Sequence, residues 1–162
     1  MKLKVGVYSS HQKALQAIEA LAKANYALDK VSIIGKAEII NDHVHVKSYD
    51  TIKDSPLMIG SVVGPVLGLI SGLGVFAIPG FGFLYGAGAL IGTIAGFDLG
   101  VLGGGILTLL ATIGIKKDSR IKYEEHLNEG KFLVIVEDTL EKVKHAEKIL
   151  HTEGIHLEWY SH

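Results

Sequence analysis

Gly72-Leu73-Gly74-Val75-Phe76-Ala77-Ile78-Pro79-Gly80-Phe81-Gly82 lies near the middle of the chain, and its reading decides the fold. It belongs to an apolar block of 59 residues, Leu57 to Ile115, that carries one charge, Asp98. Sixteen of the 20 glycines fall in this block, many of them in phase. Gly60, Gly64, Gly68 and Gly72 repeat every four residues, as do Gly88, Gly92, Gly96, Gly100 and Gly104. On a helix this spacing lays down a nearly straight groove of bare backbone, which lets a second helix approach closely. Glycine costs about 0.8–1.0 kcal/mol against alanine in a water-exposed helix, so such a run needs compensation from packing or lipid. The 22 residues from Leu57 to Ile78 are long enough, at about 1.5 Å per residue, to cross a hydrocarbon core of about 30 Å. Pro79-Gly80 then reads as a helix break. Phe81 to Ile115 reads as the return, with interruptions at Gly96-Phe97-Asp98 and Gly103-Gly104-Gly105. The expectation is a transmembrane helical hairpin or a set of short re-entrant helices. A buried helical core in a soluble oligomer and a monomeric core are the alternatives, and a monomer in water would expose an unusually large apolar patch.

The polar flanks, 1–56 and 116–162, have a different grammar. Leu3, Val5 and Val7 alternate on one strand face, and Ser9-Ser10 can cap the helix that follows. From His11 to about Asn25, Leu15, Ile18, Leu21 and Ala22 recur at helical spacing. Val31 to Ile34 reads as a strand, and 37–46, with Asn41-Asp42 at its turn, as a hairpin. Beyond the block, Ser119 to Glu129 reads as a charged helix stopped by Gly130, and Lys131 to Val136 as a strand. Asp138-Thr139-Leu140-Glu141 has a capping-box pattern at the start of a helix with Leu140, Val143, Ala146 and Leu150 on one face. Ile155 to Tyr160 closes a second βαβ unit that resembles the first. Neither flank makes a good domain alone. Together they predict an α+β, ferredoxin-like βαβ/βαβ sandwich split by the glycine-rich insertion. A shared sheet requires both flanks on one side of a membrane. Lys47 and Lys53 before the block, and Lys116, Lys117, Arg120 and Lys122 after it, place that side, and both termini, in the cytoplasm.

Charge excludes further classes. The flanks carry +2 and −2 and the block −1, which leaves no basic face for nucleic acid. Zero cysteine excludes disulfides, thiolate catalysis and zinc–thiolate sites. The opening residues lack an apolar run of signal-peptide length, so no export is expected.

Asp98 is the sharpest single residue. Within a bilayer a carboxylate costs about 2.5–3.5 kcal/mol on insertion scales and points to a proton, ion or helix-pairing role. The competing reading is a headgroup-level turn in which Asp98 caps the next helix. His43 and His45, two apart on a strand, present imidazoles to one face as zinc or copper ligands do, but two ligands are too few for a site. Gly72-Leu73-Gly74-Val75-Phe76-Ala77 satisfies the loose dinucleotide pattern, yet lacks the preceding strand and the acidic residue about 20 positions on. Ser9, Ser10 and His11 read as a cap rather than a nucleophile site. No cofactor is expected.

At Gly72 to Gly82 the chain resembles a bacterial family of general stress proteins, also described as heat- or low-temperature-induced. The resemblance runs almost end to end, with an opening βα unit, a glycine-rich middle bearing the Ala77-Ile78-Pro79-Gly80 turn, and a closing αβα segment. Tyr123-Glu124-Glu125-His126-Leu127, Gly130 and Val134-Ile135-Val136 add to it. It implies a stress-associated, membrane-like bacterial protein and brings no catalytic residues. The expected function is therefore non-enzymatic: an inner-membrane homo-oligomer, held by its glycine helices, that supports or remodels the bilayer. The alternatives are a cytoplasmic self-assembling particle with the apolar helices as its core, and a ligand- or metal-sensing pore around Asp98.

Overall fold

The structure is a computed structural model that describes residues 1–37, 72–78, 80–90, 94, 105–153 and 158–161. The chain is α+β. Among the described residues six strands form one sheet: β1 (Lys2–Tyr8), β2 (Val31–Lys36), β3 (Leu73–Ile78), β4 (Gly82–Gly88), β5 (Phe132–Asp138) and β6 (Glu158–Ser161). Their order is β3-β4-β2-β5-β1-β6, and every neighbouring pair is antiparallel. Both flanks and the apolar block thus contribute to a single sheet.

The strands form where side chains alternate between two buried faces. Helices α1 (His11–Lys23) and α4 (Leu140–Glu153) cover one face, where Tyr8, Ile33, Phe132, Val134 and Val136 meet Leu15, Ile18, Leu21, Val143 and Leu150. The α1 start follows the sequence reading: the Ser10 side chain accepts a hydrogen bond from the Lys13 amide at 3.2 Å. Buried Lys4 lies on this side of the sheet and pairs with Glu147 of α4.

Helices α2 (Ile106–Thr112) and α3 (Lys117–Asn128) serve the opposite face. There Leu3, Val5, Val7, Ile34, Leu84, Leu133 and Ile135 pack with Ile106, Leu109, Leu110, Tyr123 and Leu127. The apolar block therefore supplies much of a second core. Gly114, with φ 93°, turns the chain between α2 and α3, and the Arg120 Nε–H donates to the Ile115 carbonyl at 2.8 Å.

This corrects the expectation of a transmembrane helical hairpin over 57–115. Leu73–Ile78 and Gly82–Gly88 are strands of the main sheet, and α2 is 7 residues long. A helix of that length rises only about 10 Å, a third of a hydrocarbon core. No helix among the described residues is long and apolar enough to cross a membrane. The expected inner-membrane placement and lipid partner lose the helices on which they rested. The physical reason lies in the opening stretch itself. Its Val, Phe and Ile residues suit a pleated surface. At its corner the Phe81 amide donates to the Ile78 carbonyl at 3.0 Å, while Gly80 takes φ 75°, as the third residue of a tight turn requires. The turn ends a strand and begins its partner.

Candidate functional site

The glycine series does not lie on a helix where it can be followed. Gly72 precedes β3 and Gly88 ends β4, and the Gly88 amide donates to the Gly72 carbonyl at 3.2 Å. Two members of different four-residue series thus close the open end of one hairpin. Gly60, Gly64, Gly68, Gly92, Gly96, Gly100 and Gly104 lie outside the described residues, as do Pro79, Asp98, His43, His45 and, but for Ala37, the hairpin expected over 37–46. Among the described residues no group of three or more His, Asp or Glu side chains is placed to hold a metal ion.

Two regions have features beyond simple packing. The first is the hairpin β3–β4 at one margin of the sheet. β3 occupies the end of the strand order, so one of its sides has no strand partner among the described residues. Its sequence, Leu73 to Ile78, has no charge, no proline and no polar side chain. On the other face Ile78 and Leu84 are buried in the second core, with Phe76 packed against it. On the α1 face Val75 is 58% exposed and Phe83 53%, and Ala77, which pairs with Phe83, is exposed too. Where this shelf meets α1, the His11 imidazole stands edge-on to Tyr85 with centroids 5.2 Å apart, and its Nε2 lies 3.3 Å from the Tyr85 hydroxyl. Burial pushes His11 down to about 4, so it is neutral at pH 7, and pushes Tyr85 up to about 12.

The second region is a cleft of ≈ 430 Å³ between the end of α1 and the start of α4. Asn25 takes the left-handed conformation, φ 56°, and the Tyr26 amide donates to the Leu21 carbonyl at 2.9 Å. This tight reversal fixes Tyr26 in the cleft wall. The facing wall is α4, whose His145 ring lies over Tyr26 at 6.5 Å with an interplanar angle of 21°. Asp138, the last residue of β5, is 4% exposed and also lines the cleft. Its Oδ1 accepts from the Thr139 amide at 2.7 Å. Its Oδ2 accepts from the Tyr26 hydroxyl at 3.5 Å and lies 3.6 Å from the Lys142 ammonium. Burial, then the charge and hydrogen bond of Asp138, push Tyr26 up to about 12.

The sequence pattern puts Asp138 in a capping box and carries no signal for Tyr26. The helix starts at Leu140, so Asp138 stands one position before the cap and its carboxylate belongs to the cleft. Asp138 and Tyr26 are 112 positions apart, a juxtaposition that only the pairing of β1 and β2 with β5 creates. Comparison with protein-family profiles, curated proteins and solved structures finds no match to the chain.

Proposed function

We propose that this chain is a non-enzymatic protein that works as a homo-oligomer, assembled by pairing β3 with β3 of a second copy. The observation that carries the reading is the uncharged outer strand β3, with Val75, Ala77 and Phe83 exposed beside it. Exposed strand edges are ordinarily blunted by lysine, proline or a bulge, because their open backbone recruits other strands. The outer edge of β3, unpaired among the described residues, carries neither charge nor proline. Antiparallel pairing about a twofold axis normal to the sheet keeps corresponding faces on the same side. Val75 and Ala77 of both copies would then form one apolar surface, with no like charges opposed across the seam.

The core β2-β5-β1-β6, with α1 and α4 as its two crossovers, is in this reading a ferredoxin-like sandwich that the β3–β4 hairpin extends beyond β2. The resemblance to general stress proteins supplies the proposed context, a cytoplasmic assembly formed in stressed bacteria. It replaces the helix-mediated membrane assembly expected from the sequence.

Light scattering coupled to size exclusion tests the interface. The wild type is expected as a dimer or a larger even-numbered species at tens of micromolar. Val75→Lys should convert it to a monomer with an unchanged circular dichroism spectrum, because that side chain is already exposed. A monomeric wild type, or an unchanged oligomer in Val75→Lys, would overturn the proposal.

A further inference from the structure

We infer that the Tyr26–Asp138–His145 cleft is a binding site for a small organic cation bearing a primary ammonium group. Its size falls within the usual range for small-molecule pockets, about 300–1,000 Å³. Among its polar groups, the buried Asp138 carboxylate selects the sign of charge. One oxygen is well satisfied by the Thr139 amide. Among the described residues the other is held by long contacts, 3.5 Å to the Tyr26 hydroxyl and 3.6 Å to the Lys142 ammonium. An ammonium in a good charge-assisted hydrogen bond to a carboxylate sits at about 2.7–2.9 Å.

Lys142 is therefore a loosely seated internal stand-in. Its side chain is 61% exposed, whereas that of Asp138 is 5% exposed, so the lysine can withdraw while the carboxylate stays in place. A ligand ammonium would take the lysine's place at closer range. The Tyr26 ring offers it a π-face, and the Tyr26–His145 pair covers its carbon stem. Glu141 adds a second carboxylate to the lining, favouring a cation over a neutral amine. Anions are disfavoured although α4 begins here, because Asp138 holds the Thr139 amide and repels them.

Isothermal titration with 1,4-diaminobutane, and with butyrate as the anionic control, tests the site on the whole chain. Saturable 1:1 binding of the diamine and none of butyrate is expected. Lys142→Ala removes the internal competitor on an exposed side chain and should tighten binding about threefold or more. Asp138→Asn should weaken it about tenfold or more, the worth of a charge-assisted hydrogen bond. No saturable diamine binding by the wild type and Lys142→Ala would overturn the inference. So would weaker binding in Lys142→Ala, or diamine binding that survives Asp138→Asn unchanged. The Lys142 arm keeps the test decisive should Asp138→Asn fold poorly.

Discussion

At the residue scale, two side-chain environments give direct tests. Gly35 lies in β2 against the Phe132 ring, and a Cβ built there would come within 2.3 Å of two ring carbons. Phe132 is 1% exposed, so the ring is enclosed by the core and does not lie against open solvent. Gly35→Ala should cost about 1–3 kcal/mol, as overpacking of a dense core does, read as a lower urea midpoint with an unchanged slope. His11 gives a pH signature. Its folded value of about 4 lies below the ordinary 6.5, so between those limits the unfolded chain holds a proton that the folded chain refuses. The contribution is whole above 6.5 and drains away as pH falls towards 4. Because the ring is only partly buried, its effect should be about 1 kcal/mol. Urea midpoints of wild type and His11→Phe, compared from pH 7 to 4, should show a shallower fall in the variant. Equal slopes would mean that His11 is protonated at no energetic penalty in the fold.

At the element scale, the surprise is the conversion of an expected helix into β3 and β4. The flanking strands β2 and β5, buried on both faces, were legible because each is a short apolar run rich in β-branched residues. The flanking helices were legible because each presents one apolar face to a core and a polar face to water, which leaves a period in the sequence. In β3 that period vanishes: Phe76 and Ile78 face the second core, while Val75 and Ala77 are apolar yet exposed. Composition alone reads such a run as lipid-facing. The usable signal was local, the β-preferring residues Val75, Phe76 and Ile78 before Pro79-Gly80 and Phe83, Leu84 and Tyr85 after it. Helix α2 supports the same correction. Leu109 is fully buried against the sheet, as Leu15 is on the opposite face. Leu109→Ala and Leu15→Ala should each cost about 2–5 kcal/mol in denaturant unfolding. A negligible cost at Leu109 would mean that the block is not part of the folded core.

At the scale of the whole molecule, the α+β class was legible from the two βαβ flanks, but the depth of the structure was not. Four strands with α1 and α4 make two layers. A third layer, α2 from the apolar block and α3 from the second flank, lies where the sheet would otherwise meet water. The cleft was illegible for a different reason: no local pattern announces that Tyr26 and Asp138 meet. The strand order that joins them has one more consequence. β1 and β2 are not paired with each other, since β5 lies between them, and β1 pairs with β5 and β6. During synthesis, α1 and β2 can emerge while the first strand still has no neighbour to accept its hydrogen bonds. From Lys36 to Phe132, at about 5–20 residues per second, that wait lasts on the order of 5–20 s. Throughout it Leu3, Val5 and Val7 lack the strands that flank them in the fold, so the first strand made is among the last to be enclosed, and it can be placed only once residue 138 has been synthesised.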